Sequence, residues 1–206
     1  MLEDGSVYEG TARGDFKETA CEIVFNTSMT GYVEILTDPS YAGQGVVMTY
    51  PMIGNYGISR EDFESERLQP SAFIVHELSS DPSNFRCTDT IENLLKEYNI
   101  PCISGVDTRA VVKKLRESGT MRGVLTSDIG DRERLMDVIK SFRQIDLVGS
   151  VTAKQTKVYG EENTGAEIAL MDFGTKRNII NNLVKRNCIV TVYPSFTSAD
   201  EIIKTS

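Results

Sequence analysis

The stretch EIALMDFGTKRNIINNLVKRNCIVTVYP, Glu167 to Pro194, carries two hydrophobic patterns in turn. EIALMDFG (167–174) and CIVTVYP (188–194) are short apolar runs of the kind found in buried strands. TKRNIINNLVKRN (175–187) lies between them and has helical spacing. Four of its side chains are predicted to point inward, namely Ile179, Ile180, Leu183 and Val184. The order strand, helix, strand predicts the opening of a parallel α/β sheet.

The next segment, SADEIIK (198–204), predicts a second helix behind a capping box made by Ser198 and Glu201. The glycine in DFGT (172–175) indicates a tight turn into the helix predicted over 175–187 rather than an anion-binding loop. A region of about 40 residues rarely buries enough apolar surface to fold alone. We therefore expect it either to dock on the rest of the chain or to belong to a longer domain.

The first half of the chain is predicted to be rich in strands. Six segments contain β-branched or aromatic residues and are bounded by Gly, Pro or Asp. They are GSVYEGTA (5–12), ACEIVFNT (20–27), GVVMTYP (45–51), SAFIVHELS (71–79), PCISG (101–105) and MRGVLTSD (121–128). Apolar spacing predicts three helices among them, over 90–98, after Asp107 as far as Gly119, and from about Asp131.

A change of composition divides the chain. GSVTAKQTKVYGEENTG (149–165) has more charged, small and glycine residues than core positions, which is typical of an interdomain connection. The prediction is an α/β protein with a first domain over 1–150, a linker over 151–165 and an incomplete second domain over 166–206. The first domain mixes strands and helices, and the second opens with βαβα.

Charge and hydropathy exclude several classes of partner. The chain has a net charge of -8, which disfavours nucleic acid and anionic membranes as partners. No apolar run approaches a length of about 18 residues, which a helix needs to span a bilayer. The start MLEDGSVYEG lacks the basic and apolar regions of a signal peptide. A cytoplasmic protein is expected. The second predicted helix carries a basic cluster made of Arg109, Lys113, Lys114 and Arg116. By default we interpret it as a solvated face of the helix.

Nucleophilic and metal chemistry have little support in the residues. Cys21, Cys87, Cys102 and Cys188 show no C-x-x-C spacing, so reduced and mostly buried thiols are predicted, without zinc. The single histidine, His76, lies in an apolar segment and is predicted to be structural or on the surface. No G-x-C-x-G or G-x-S-x-G segment is present, and no nucleophile–base pair is visible.

A polar stretch, FNTSMTGYVEILTDPSYAGQ (25–44), lacks a sustained apolar period. Within it TDPSY (37–41) predicts a type I turn with Asp38 first, Pro39 second and Ser40 third, so that the side chain of Ser40 projects. Two interpretations stay open. The serine either satisfies the local backbone or belongs to a site.

Four motifs carry a resemblance to a known family. FNTSMTGYVEILTDPSYAGQ, TYPMIGNYG, GVDTRAVVKKLRESGTMRG and MDFGTKRNIINNLVKRN, in this order, resemble the glutamine-hydrolysing small subunit of carbamoyl-phosphate synthase. The resemblance implies a family-specific α/β domain followed by a flavodoxin-like class I glutamine amidotransferase domain. In that family a Cys-His-Glu triad hydrolyses L-glutamine, and ammonia passes through a tunnel to a large subunit that uses ATP and Mg²⁺. The product, carbamoyl phosphate, feeds arginine and pyrimidine synthesis.

The chain departs from the family pattern at its end. It stops at Ser206, before the family's Gly-rich loop and triad, so no catalytic residue and no cofactor are expected in it. One site residue carries over by resemblance, because the serine of DPSY, here Ser40, contacts the bound glutamine across the domain interface. Two hypotheses follow. The chain is a truncated small subunit, or it is a natural non-catalytic module that binds the large subunit or a related partner.

Overall fold

The structure is a computed structural model that describes residues 1–14, 16–143 and 146–205. Its strands and helices alternate along the chain, and the α/β class predicted from the sequence is confirmed. Ser206, the last residue of the predicted second domain, lies outside the described residues. None of the described helices is both long enough and apolar enough to cross a bilayer.

The first 125 residues contain most of the strands. They are β1 (Thr11–Arg13), β2 (Thr19–Asn26), β3 (Gln44–Met48), β4 (Met52–Ile53), β5 (Ala72–Ile74), β6 (Glu77–Leu78), β7 (Cys102–Ser104) and β8 (Met121–Leu125). The helices among them are α1 (Tyr32–Thr37), α2 (Ile91–Glu97) and α3 (Thr108–Ser118), with 3₁₀ turns at Pro39–Tyr41 and Arg60–Asp62. The remaining elements are α4 (Arg132–Ser141), α5 (Leu147–Val151), β9 (Lys157–Tyr159), β10 (Glu167–Asp172), α6 (Arg177–Val184), β11 (Ile189–Pro194) and α7 (Ala199–Thr205).

A six-stranded sheet organises the first part, in the order β1-β7-β5-β3-β2-β8. The four central strands run parallel, and β1 and β8 pair antiparallel at the two edges. Parallel central strands are normally covered on both faces, and this sheet is covered in that way. On β3, Val46 joins a core with α1 and α2, whereas Val47, pointing the other way, packs with Val111 and Leu115 of α3.

The three helices predicted in this part of the chain begin where the sequence places them, each behind a capping side chain. The side chains of Thr90, Asp107 and Asp131 each accept a backbone N–H three residues on, at 3.2, 2.9 and 2.9 Å. The six predicted strand segments each contain a strand, although GSVYEGTA contributes only the beginning of β1. Near residue 32, by contrast, the sequence predicts no helix and the structure contains α1.

Helix α1 forms because the protein core, and not its own sequence, stabilises it. Tyr32, Val33 and Leu36 are buried against the sheet. No side chain of the helix caps its start. Instead the hydroxyl of Tyr56 accepts the N–H groups of Gly31 and Tyr32, at 2.6 and 3.2 Å. Six residues are too few for helical periodicity to emerge from a sequence.

The second part contains the predicted βαβα. Strands β10 and β11 are parallel, with Ile168 opposite Val190, and α6 crosses between them. Ser198 and Glu201 form the predicted capping box before α7, with the Glu201 N–H 3.3 Å from the serine hydroxyl. The strand β9, antiparallel to β11, is an addition, since it lies inside the predicted linker 151–165. The domain boundary itself stays a prediction.

Two predictions about burial in this part are wrong. Ile179 is 50% exposed, whereas Ile180 is buried with Val190 and Val192. Successive helical positions are about 100° apart, so the narrow face that meets the sheet takes Ile180 and leaves its neighbour outside. Strand β10 is not buried throughout, because its residues alternate and Met171 is 38% exposed.

Candidate functional site

The turn that follows α1 is built by Asp38. Its carbonyl accepts the N–H of Tyr41 at 3.0 Å, and its Oδ1 accepts the N–H of Ser40 at 2.9 Å. Pro39 restricts the backbone between them. The turn hydrogen bond predicted from DPSY is therefore present, as one turn of 3₁₀ helix over Pro39–Tyr41.

Ser40 is exposed at the tip of this turn. Its N–H is held by Asp38, but its hydroxyl makes no hydrogen bond with any other described residue. The local backbone is thus satisfied by the aspartate and not by the serine. The hydroxyl keeps one donor and two acceptor positions for a molecule outside the chain.

Asp38 also joins the turn to the second part of the chain. Its Oδ2 lies 2.7 Å from Nζ of Lys176, and the aspartate side chain is 8% exposed. The hydrogen bond to Asp38, opposed by partial burial, raises the pKa of Lys176 above its ordinary value. One carboxylate therefore holds both the Ser40 amide and an ammonium group from the start of α6.

Glu64 makes a second link to the same helix. Its carboxylate accepts the backbone N–H of Asn178 at 3.0 Å and the side-chain amide of Asn178 at 2.8 Å, and its carbonyl accepts the N–H of Arg177 at 2.8 Å. A carboxylate is favourable at the first turn of a helix, where N–H groups are unpaired. The N–H of Glu64 in turn donates to Thr37 Oγ1, at the end of α1.

The loop between β10 and α6 is shaped by Asp172 and Gly174. Oδ1 of Asp172 accepts the N–H groups of Gly174 and Thr175, at 3.0 and 2.7 Å. Because a carboxylate of the chain already occupies these amides, the loop is the predicted tight turn. Gly174 has φ +102°, and a Cβ there would lie 3.0 Å from Cβ of Pro39 and 2.9 Å from a methyl group of Val151. Glycine permits both this backbone and the close contact with the Ser40 turn.

The other candidates from the sequence lie apart from this turn. His76 is exposed and its Nδ1 lies 3.1 Å from the carbonyl of Val106, which confirms a surface imidazole. All four cysteines are free, and burial raises the pKa of the Cys21 and Cys102 thiols to about 12. Such thiols are not ionised near neutral pH. Among residues 1–14, 16–143 and 146–205 there is no group of His, Cys, Asp and Glu suited to a metal ion.

Sequence reasoning missed the residues that support the turn. Glu64 and Asn178 are 114 positions apart, and no local pattern connects them. No local pattern connects Asp38 and Lys176 either. In the sequence Asp38 is explained as a turn residue, and Lys176 as a lysine at the start of a helix. Only the tertiary structure forms these two pairs, which join the end of α1 and the Ser40 turn to the start of α6.

Comparison with known proteins gives a family. Residues 1–125 match the family model described as carbamoyl-phosphate synthase small chain, CPSase domain. The chain is 47% identical over 205 residues to the carbamoyl phosphate synthase small chain of Clostridium perfringens, covering 99% of this chain and 58% of that protein. The carbamoyl phosphate synthase small chain of Listeria monocytogenes is 44% identical, and the match covers 98% of this chain and 56% of that protein. That of Bacillus cereus is 45% identical, and the match covers 100% of this chain and 56% of that protein. The chain thus spans somewhat more than half the length of these curated relatives. It belongs to the carbamoyl-phosphate synthase small chain family.

Proposed function

We propose that this chain forms part of the small subunit of a glutamine-dependent carbamoyl-phosphate synthase and supplies one wall of its glutamine site. The observation that carries the proposal is the hydroxyl of Ser40, exposed and unbonded within the described chain on a turn that Asp38 holds rigid. A pre-organised polar group costs little conformational entropy when it binds a ligand. Location in the cytoplasm belongs to the same proposal.

The chemistry proposed for Ser40 is recognition and not bond cleavage. A neutral hydroxyl can donate to a carboxylate or a carbonyl oxygen and can accept from an ammonium or amide group, all of which glutamine carries. Attack on the amide would need a base within hydrogen-bond reach of a nucleophile. His76 instead bonds to a backbone carbonyl, and the buried thiols of Cys21 and Cys102 stay protonated.

The division of labour in the proposal is as follows. Glutamine is hydrolysed to glutamate and ammonia by residues outside these 206 positions, while Ser40 orients the substrate. The ammonia is used by a large subunit that binds ATP and Mg²⁺ and makes carbamoyl phosphate. We propose no cofactor for the present chain.

Two measurements on the purified 206-residue chain and on the full reading frame of its gene test this function. The chain alone should release no ammonia from glutamine in a coupled glutamate dehydrogenase assay. The product of the full reading frame, combined with a large subunit, should make carbamoyl phosphate from glutamine. A reading frame that ends at Ser206, together with a stable complex of this chain and a large subunit, would favour a non-catalytic binding module instead.

A further inference from the structure

A groove runs along α3, on a part of the first sheet that the proposed glutamine site does not use. One wall follows β3 and β5 and includes Thr49, Pro51 and His76; the other is the exposed side of α3, with Arg109, Lys113 and Arg116. The groove has a volume of about 700 Å³. It is large enough to accept several side chains of another molecule.

The three cations form a stripe on the helix. They follow one another at intervals of four and three residues, which places them on one side of α3, opposite the buried Val111 and Leu115. All three are exposed. At a rise of about 1.5 Å per residue the stripe is about 10 Å long. A row of this length matches several successive charges better than one compact anion.

These cations are unpaired within the part of the chain that the structure describes. Other basic residues there do have partners, and Lys114, their neighbour on the same helix, lies 3.0 Å from Asp4. No ion pair involves Arg109, Lys113 or Arg116. The basic cluster seen in the sequence therefore divides into one neutralised lysine and three free cations.

The acidic residues of the groove do not cancel this charge. Oδ1 of Asp107 accepts the N–H of Ala110 at 2.9 Å, so this carboxylate caps the helix. Glu117 is the other acidic residue of the lining; it lies one helical turn after Lys113, but the two form no ion pair in the described chain. Three unpaired cations face these two carboxylates in a protein whose net charge is -8. The groove is locally basic on an acidic molecule.

We propose that this groove docks an acidic segment of a partner polypeptide. Charge complementarity carries the proposal, because arginine offers a planar fork that matches a carboxylate, and here two arginines flank a lysine. The exposed side chains favour a reversible contact that weakens with salt, since solvent ions screen exposed charges over a Debye length of about 8 to 10 Å, which shortens as the salt concentration rises. The surface is separate from the Ser40 turn, so the inference stands apart from the proposed function.

A labelled glutamate-rich peptide tests the groove by fluorescence anisotropy on the intact 206-residue chain. The triple variant R109E/K113E/R116E should weaken peptide binding by about tenfold or more, since each exposed charge pair contributes modestly and three are reversed. The matched control R132E/K154E/K185E also reverses three exposed cations but lies outside the groove. It should change the affinity by less than about twofold beyond the general charge effect. Circular dichroism verifies that both variants are folded.

A zero-length carbodiimide cross-link gives a second readout that does not need a charge reversal. It should join Lys113 to a peptide glutamate, and mass spectrometry should find no such link at Lys154. The milder variant R109Q/K113Q/R116Q should lose binding in the same direction if the reversed variant fails to fold. Equal loss in the groove and control variants, or binding of inorganic polyphosphate in preference to the peptide, would overturn the proposal.

Discussion

The carboxylate of Asp38 holds Lys176 at 2.7 Å with one oxygen and the amide of Ser40 at 2.9 Å with the other. Through these two bonds one carboxylate joins the turn after α1 to the start of α6. The carboxylate that holds the Ser40 turn is therefore shared between the two parts of the chain. Each contact around this turn leads to a measurable consequence.

Removing Lys176 should destabilise the junction between the two parts. In Lys176→Met the carboxylate of Asp38, 8% exposed, loses its counter-ion and keeps only the Ser40 amide. Leaving a buried carboxylate without its counter-ion is costly, and because the lysine itself is 44% exposed we expect a loss of about 1 to 3 kcal/mol in the free energy of unfolding. Urea denaturation measures it. Lys185→Met, at an exposed lysine without an ion pair, is the control, and equal losses would contradict the assignment.

The same pair has a predicted pH dependence. The folded-state pKa of Lys176 lies above its unfolded value, so its contribution to stability is complete below the unfolded pKa. It is lost as pH rises through the folded pKa. The stability difference between the parent chain and Lys176→Met should therefore be constant at neutral pH and should shrink on the alkaline side above about pH 10.4. A difference that shrinks instead toward acidic pH, above the titration of carboxylates, would rule out this cause.

Replacing Glu64 should weaken the start of α6. Glu64→Ala removes the buried carboxylate that accepts the backbone and side-chain amides of Asn178, a residue that is itself exposed. Because water can reach these donors, we expect a loss of about 0.5 to 1.5 kcal/mol, the net contribution of a hydrogen bond. Hydrogen exchange should show faster exchange of the first α6 amides. Glu66→Ala, at an exposed glutamate two positions on, should leave them unchanged.

Gly174 should not tolerate a side chain. Gly174→Ala adds a methyl group within 3.0 Å of Pro39 at a backbone angle of φ +102°, so strain and overpacking add to about 2 to 4 kcal/mol. Gly119→Ala separates the two effects, because Gly119 also has positive φ (83°) but has open space around it. Thermal denaturation should show a larger loss for Gly174→Ala. Equal losses would mean that the contact with the Ser40 turn is unimportant.

Ser40→Ala tests the proposed glutamine contact in the product of the full reading frame with its large subunit. Loss of one hydrogen bond to the substrate should lower kcat/KM for glutamine, by an amount that corresponds to about 1 to 3 kcal/mol of lost transition-state stabilisation. Synthesis supported by added ammonia should be unaffected, because it bypasses the glutamine site. Ser118→Ala, at an exposed serine on α3, is the control. Unchanged glutamine kinetics would show that Ser40 is only a turn residue.

Local patterns in the sequence were sufficient for much of the fold. Helices α2, α3 and α4 begin at the predicted positions, and the parallel pair β10 and β11 follows from two apolar runs separated by a helix. These features depend on neighbours within a few residues, where hydrogen bonding and side-chain periodicity are local. The turn at Ser40 belongs to the same class, because Asp38 and Pro39 specify it directly.

Tertiary contacts decided the rest. The burial of α1, the exposure of Ile179 and the bonds from Asp38 and Glu64 to α6 all depend on residues far apart in the chain. Local sequence patterns cannot predict such pairs, because their contacts form only when elements far apart in the chain pack together. The sequence by itself determined that Ser40 would project from a rigid turn. The tertiary structure decided what that turn is joined to.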